Sequence, residues 1–247
     1  DKSGPMAISF DKQHEWSAGH RLIIARHCCP ARYFGKQGSR FAVTASRAIF
    51  MTFNDLASPI SLIETRRSGK PRDMIAPGPD AAQLDRILAA AMRVPDHGKL
   101  APWRFVVVDP ERRGELAAAM LEAYLAERPD ASRLEQDAVE QFCLQAPTLV
   151  VVVSRPVAES KIPLWEQQLS AGAACTMLLH AAHALGFVAS WLTGWAAYSP
   201  AIRGLFAGPD DRIAGFMFIG SAGRPLSERP RPSFDEIVHH WRGKLEG

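Results

Sequence analysis

The sequence predicts an α/β or α+β fold arranged around a central sheet. Short apolar runs rich in β-branched residues, of which Thr148–Ser154 is the clearest, alternate along the chain with longer runs of helical periodicity. Residues 165–185 are apolar around almost the whole circumference of a helix, which predicts a central helix covered on most sides. With 247 residues, 47% of them hydrophobic and 22% charged, the chain can bury a substantial core.

Residues 1–50 differ from the rest of the chain. They hold eight basic against three acidic residues and show no sustained periodicity, whereas clear periodicity begins after Met51. We interpret them as a leader or tail, disordered or non-native, ahead of a folded domain over 51–247. Three origins stay open: a non-native or upstream-translated leader ahead of a start at Met51, a genuine flexible tail, or an Arg-rich, acid-poor transit peptide.

The first two predicted elements are helices separated by a Pro/Gly loop at 74–79. Ser58 is an expected N-cap, with Pro59 at the first helical position, and Ile60 and Ile63 form the apolar side. The second helix starts at a capping box, has apolar residues at i, i+3, i+4 and i+7, and ends near residue 93; the capping pair is Asp80 and Gln83.

Alternating strands and helices are predicted for the remainder of the chain. The strands are expected at 104–109, 148–154, 187–193 and 213–219, and the helices around 116–124, 134–142, 165–185, 200–206 and 234–241. The strand at 104–109 contains three consecutive valines, which predicts that it is buried on both faces. Gly186 is the expected stop of the long helix.

Several classes of protein are disfavoured by motif and composition. The four cysteines lack CxxC spacing, which argues against a zinc site and against a disulfide framework and fits a reducing, cytoplasmic compartment. The chain has no GxGxxG after the first strand, no P-loop, no GxSxG and no HExxH. No apolar run is long enough to span a bilayer. Outside residues 1–50 there are 21 basic and 23 acidic residues, so charge gives no case for nucleic-acid binding.

Two polar stretches are the candidates for a binding site. The first, ETRRSGK at 64–70, offers a compact anion-binding set of Arg66, Arg67, Ser68 and Lys70, because arginine forks match phosphate oxygens and a serine hydroxyl adds a donor. The alternative interpretation is a basic helix end that interacts with its own carbonyl groups.

The second stretch, MRVPDHGKLAPWRF at 92–105, follows the second helix. His97 could contact a ligand ring, act as an acid or cap a turn, and Asp96 beside it could orient the imidazole. Trp103 is predicted to be a core anchor.

Five motifs in order carry a resemblance to a known family. They are RRSGK, then MRVPDH with PWRF, KIPLWEQ with SAGAA, GFVASWLTGW, and IAGFMFIGSAGRP. Over about residues 56–225 the chain resembles the nitroreductase family, and in particular its small branch with RRS and RxPDH motifs. The resemblance implies an α+β fold with a central, mixed but mainly antiparallel sheet flanked by helices, and with the long helix at a homodimer interface.

The resemblance also implies an activity and a cofactor. Such proteins bind FMN in clefts at the dimer interface, take hydride from NADH or NADPH, and reduce nitro compounds, quinones or similar acceptors by a ping-pong cycle. The alternative is a flavin-binding protein of this fold with another reaction, such as dehalogenation or flavin modification, or with no turnover.

Site residues are implied by position. Arg66, Arg67 and Ser68 would hold the phosphate and ribityl end of FMN or approach the ring. The other implied FMN contacts are Arg93 and His97, from the same or the partner subunit, and Trp191, Leu192 and Thr193 along the isoalloxazine. The segment implied for the nicotinamide nucleotide is Ala181, Ala182, His183, Ala184, Leu185 and Gly186.

Two departures from the family pattern bear on the flavin environment. Ala101 stands where many relatives have Gln, and Leu192-Thr193 stands where the small branch has Arg-Ser. A cation near flavin N1 and O2 would stabilise the negative charge of reduction, and Arg67 or Lys70 is the expected source.

Overall fold

The computed structural model describes residues 52–241 and 243. The predictions for residues 1–50 and for a start at Met51 fall outside this range. Eight helices and five strands are formed by the described residues: α1 Pro59–Thr65, β1 Met74–Ile75, α2 Ala81–Ala91, β2 Trp103–Val108, α3 Arg113–Glu127, α4 Arg133–Phe142, β3 Thr148–Ser154, α5 Leu164–Ala184, β4 Val188–Leu192, α6 Trp195–Tyr198, α7 Pro200–Phe206, β5 Arg212–Ala222 and α8 Phe234–Ile237.

The five strands form one antiparallel sheet with β5 at its centre. β5 pairs with β3 along most of its length, with β4 over Phe216–Gly220 and with β1 at its end, while β2 pairs with β3. The predicted α+β class with a mainly antiparallel central sheet is therefore confirmed. A strand that pairs with three others has its backbone groups satisfied along most of its length.

The sheet is covered by helices on both faces, and the alternation of side chains along β3 shows how. Leu149, Val151 and Val153 face one hydrophobic cluster, in which Met120 of α3 and Ile202 of α7 are buried. The intervening valines face a second cluster formed with α2 and α5; they are Val150 and Val152. Successive side chains of β3 therefore point into different cores, as expected for a strand buried on both faces.

The strand β2 corrects one prediction. It was expected to be buried on both faces, yet Val108 is its one buried residue and Val107 is 39% exposed. Among the described strands β2 pairs with β3 alone, so it lies at an edge of the sheet. A short apolar run cannot distinguish an edge strand from a central one, because β-branched side chains suit both.

The long helix α5 is present as predicted, and within the described part of the single chain it is covered on one side, so cover of the other sides by a second subunit stays a prediction. Cys175 and Leu178 are fully buried against α2 and the sheet, whereas Leu164, Trp165 and Leu169 near its N-terminus are exposed in the single chain. Gly186 ends the helix at φ +85°, a conformation that glycine adopts without penalty from a Cβ.

The predicted helix caps are confirmed, whereas the buried side of α1 and the bounds of two elements differ from the prediction. The Ser58 hydroxyl caps α1, and Asp80 and Gln83 form the predicted capping box of α2. The expected apolar side of α1 was wrong, since Ile60 and Ile63 are exposed and Leu62 is the buried residue. The loop expected at 74–79 contains β1, and the last helix ends at residue 237 rather than 241.

A buried arginine joins α3 to the chain that follows α4. Arg113 is only 6% exposed, and its guanidinium donates to the carbonyl oxygens of Gln145, Ala146 and Pro147 at 3.3, 2.6 and 2.9 Å. Burial lowers the pKa of Arg113. Ala146 has a φ of +57°, which turns the chain sharply into β3. Arg113 therefore satisfies carbonyl groups at a strained turn.

Across the part of the chain that the structure describes, no helix combines the length and the apolar character that crossing a bilayer requires.

Candidate functional site

The loop 66–70 opens onto a cavity of about 450 Å³, within the size range of small-molecule sites. Three other parts of the chain complete its walls: the middle of α5, the end of β4 and the tail after β5. The lining residues outside the loop are Thr176, Leu179, Ser190, Trp191, Leu192, Arg229 and Arg231. The structure thus brings together two of the predicted sets, the basic loop and the Trp191-Leu192 pair.

The shape of the loop is fixed by Asn54 and Gly69. The Asn54 side chain accepts from Arg67 N at 2.8 Å and donates to Arg67 O at 3.2 Å, so it clamps both backbone groups of that residue. Gly69 is buried, and a Cβ at this position would collide with Cγ1 of Val188. The loop backbone therefore packs directly on β4, which a residue larger than glycine would prevent.

The cavity has a strongly basic wall. Arg66, Arg67, Lys70, Arg229 and Arg231 all line it, and no Asp or Glu appears among its described lining residues. The Arg66 guanidinium donates to Ser68 Oγ at 3.1 Å. The pKa of Arg66 is lowered by burial first, and then by the charges of Arg231 and Arg67. Glu228 next to the cavity pairs with Arg231 at 3.7 Å and is the one carboxylate that salt-bridges a described lining arginine. The excess of cations in this partly buried wall favours a bound polyanion such as a phosphate.

Arg67 lines the cavity, and its guanidinium also donates hydrogen bonds to backbone carbonyl groups of the protein. Its Nε donates to Ser227 O at 2.6 Å, and its Nη1 donates to Ser68 O at 3.2 Å. These bonds tie the tail after β5 to the loop 66–70, 160 residues earlier in the chain. The tail then places Arg229 and Arg231 in the wall of the cavity. No sequence motif assigns these two arginines to the site, because only the folded chain brings them there.

Trp191 forms a flat part of the wall. Its Nε1 donates to Ala214 O at 2.9 Å, and the indole packs on the backbone of β5 at Gly215, where any Cβ would collide with it. Thr193, one of the predicted flavin contacts, lines a neighbouring apolar cavity of about 270 Å³ together with Tyr124 and Trp195.

Arg93 and His97 are not among the residues that line the basic cavity of their own chain. Both are exposed, and His97 Nδ1 lies 2.7 Å from Glu166 Oε2 on α5. The expectation that Asp96 orients the imidazole was wrong, since its carboxylate accepts from the backbone N–H groups of Leu100 and Ala101 at 3.1 and 2.8 Å. Contact of Arg93 and His97 with a ligand stays a prediction that requires a second subunit.

The segment 181–186, predicted to bind a nicotinamide nucleotide, is the C-terminal end of α5 and the turn after it. Ala182 and His183 are fully buried, Ala181 and Leu185 are partly buried, and Ala184 and Gly186 are exposed. The predicted contact is untested, and the exposed residues are the ones available to make it.

The imidazole of His183 is buried, and only one of its two ring nitrogens has a hydrogen-bond partner among the described residues. Its Nε2 accepts from Ala189 N at 3.3 Å, and its Nδ1 has no hydrogen-bond partner among the described residues. Burial, followed by the charges of Arg66 and His180, lowers the pKa of His183 to about 4. The imidazole is therefore neutral in the folded chain at neutral pH.

This neutral histidine should make the protein less stable in mild acid. The folded pKa lies below the unfolded value of about 6.5, so protons bind the unfolded chain first and stability falls as pH falls from 6.5 towards 4. Relative to its value well above pH 6.5, the free energy of unfolding should be lower by about 2 kcal/mol at pH 5, measured by urea unfolding at fixed protein concentration. Carboxylates whose pKa is lowered in the folded chain, such as Glu127, cause a further loss of stability below about pH 4.5. A His183→Gln variant should lack the loss above pH 5; an equal slope in that variant would contradict the prediction.

Comparison with known proteins assigns the chain to a family. Residues 63–221 match the profile of the nitroreductase family. The chain belongs to the nitroreductase family of oxidoreductases, as the sequence motifs predicted.

Particular relatives support this assignment. YdjA of Escherichia coli K12, which bears the provisional name NAD(P)H nitroreductase, is 34% identical over 66% of this chain and 87% of its own length. A Haemophilus influenzae protein with the same provisional name is 38% identical over 69% of this chain and 91% of its own. The crystal structure of a nitroreductase-like protein from Bacillus cereus shares the fold with a TM-score of 0.64 at 21% identity, covering 78% of this chain and 98% of its own.

Proposed function

We propose that the chain is an FMN-dependent oxidoreductase that passes hydride from NADH or NADPH, through flavin, to nitro compounds, quinones or similar acceptors in a ping-pong cycle. The observation that carries this proposal is the cavity with five basic side chains and a flat indole in its wall. Two relatives above 30% identity bear NAD(P)H nitroreductase names. A nitroreductase from Bacteroides fragilis that shares the fold, with a TM-score of 0.56, contains bound FMN.

The residues of the cavity fit the chemistry of FMN. Its phosphate suits the cationic cluster of Arg66, Arg229 and Arg231 with the Ser68 hydroxyl, which supplies charge-assisted donors. Its planar ring suits the apolar and aromatic surface of Trp191 and Leu192. The fit therefore extends from the charged end of the ligand to its ring.

When bound, FMN would supply the hydride chemistry, and the chain would bind, orient and tune it. Lys70 is the best candidate for the cation near flavin N1 and O2, because Arg67 is engaged with Ser68 O and Ser227 O whereas no described residue hydrogen-bonds the Lys70 ammonium. The nicotinamide nucleotide would use the exposed part of the segment 181–186.

Replacing Lys70 with Met should make the two-electron potential of the bound flavin more negative. If the cation stabilises the reduced flavin by about 1.4 kcal/mol, its loss lowers the potential of the two-electron couple by about 30 mV. Equilibration with reference dyes measures the potential. Lys161→Met removes an exposed lysine that does not line the basic cavity and should leave the potential unchanged. An unchanged potential in fully loaded Lys70→Met would exclude this role.

We further propose that the chain acts as a homodimer, with Arg93 and His97 reaching the flavin of the partner subunit. In the single chain, the exposed apolar residues of α5 and of the tail offer an uncovered surface of the kind that subunit interfaces bury. They include Leu164, Trp165, Leu169, Phe234 and Trp241. Sedimentation equilibrium should give twice the mass of one chain, and a monomer at micromolar concentration would refute the assembly.

Two measurements test the function. Heat release of the cofactor from the purified protein, followed by chromatography, should identify FMN. Oxidation of NADPH or NADH that depends on added menadione or nitrofurazone should then distinguish a reductase from a flavin-binding protein without turnover. The fold alone does not choose the acceptor, since iodotyrosine deiodinase shares it with a TM-score of 0.55 at 18% identity.

A further inference from the structure

The loop that carries His97 is attached to the N-terminal half of α5 at two points. His97 Nδ1 lies 2.7 Å from Glu166 Oε2, and the buried Ser170 hydroxyl donates to Pro95 O at 2.7 Å. Glu166 and Ser170 are four residues apart, so they lie on the same side of the helix, one turn from each other. Through these two contacts, α5 sets both the position of the loop backbone and the orientation of the imidazole.

The chemistry of the first contact fixes where the imidazole carries its proton. A carboxylate can only accept hydrogen bonds, so the proton shared with Glu166 must come from His97 Nδ1. In the neutral ring Nε2 is then an acceptor, and no described residue hydrogen-bonds it. The backbone beside His97 packs closely on the chain before α5, since Gly98 has a φ of +77° and a Cβ there would lie 3.1 Å from Ile162.

We propose that Glu166 is a positioning residue, which holds His97 in the Nδ1–H form so that Nε2 is presented to the flavin of the partner subunit. This inference rests on the proposed function and adds to it a residue that does not itself touch the cofactor. The side chains of His97 and Glu166 are 65% and 44% exposed in the single chain. A polar contact at such exposure contributes little to folding, so its removal should leave the fold intact.

The first experiment observes the tautomer directly. Long-range ¹H–¹⁵N spectra of histidine-labelled protein at pH 8, with and without FMN, should show His97 protonated at Nδ1. In Glu166→Ala the ring should move towards the Nε2–H form that histidine favours in water. The control is Glu159→Ala, which removes an exposed carboxylate with no hydrogen bond to a described residue. An identical His97 signal in wild type and Glu166→Ala would overturn the proposal.

The second experiment is a double-mutant cycle on FMN affinity. Loss of one oriented hydrogen bond should raise the FMN Kd of Glu166→Ala about three- to tenfold. His97→Ala should raise it by a similar factor, and the double variant should be no weaker than His97→Ala alone, because Glu166 acts through His97. If Glu166→Ala raised the FMN Kd by the same factor in the His97→Ala background as in the wild type, the positioning role would be overturned.

The two experiments separate this inference from the function on which it rests. A protein that does not bind FMN refutes the proposed function, whereas the tautomer in the spectra of the FMN-free protein still reports on Glu166. Unchanged FMN affinity in His97→Ala would refute the placement of His97 at the flavin, and with it this inference.

Discussion

Replacing Arg66 with alanine should weaken FMN binding by roughly 10- to 100-fold, which is the loss expected for a charge-assisted hydrogen bond to phosphate. Arg66 is partly buried, donates to Ser68 Oγ and forms no salt bridge with a described carboxylate. Titration of FMN-free protein, followed by quenching of flavin fluorescence, measures the change.

Riboflavin and a neighbouring arginine provide the controls. Riboflavin lacks the phosphate, so its affinity should be nearly the same in wild type and Arg66→Ala. Arg72 is an exposed arginine that does not line the basic cavity, and Arg72→Ala should bind FMN as the wild type does. Equal losses for FMN and riboflavin in Arg66→Ala would show that the variant distorts the cavity rather than losing a phosphate contact.

Replacing Arg113 with alanine should lower the free energy of unfolding by about 3 to 5 kcal/mol. The guanidinium is buried and serves three carbonyl groups at the turn into β3, and its removal leaves all three unsatisfied beside an empty volume. Urea unfolding at fixed protein concentration measures the loss.

The adjacent Arg112 is a matched control for Arg113. It is the residue just before α3, but its side chain is 74% exposed and is paired with Glu115 at 2.8 Å on the surface. Arg112→Ala should leave the unfolding midpoint unchanged within error. Equal destabilisation by the two variants would contradict the role assigned to the Arg113 hydrogen bonds.

Features fixed by neighbours in sequence were predictable. The capping box of Asp80 and Gln83, the N-cap at Ser58 and the stop at Gly186 all follow from local hydrogen bonding and backbone preference, and the structure contains each of them. The basic loop was recognisable for the same reason, since its donors are adjacent in the chain.

Features that depend on distant contacts were not predictable. β1 has two residues and exists only because β5 pairs with it, and β2 lies at an edge because no described strand covers its other side. In the site, Asn54, Arg229 and Arg231 act on residues that the chain brings close only after folding. The imidazole of His97 is paired with Glu166 rather than with the adjacent Asp96 because helix α5 packs beside the loop.

The hydrogen bond between Arg67 and Ser227 can form only late in the synthesis of the chain. It joins parts of the chain that leave the ribosome far apart in time, and Arg229 and Arg231 are made later still. A nascent chain therefore cannot assemble the cationic wall until the last part of the domain has been translated. Chains released before residue 229 should accumulate without the yellow colour of bound flavin, however well their helices have formed.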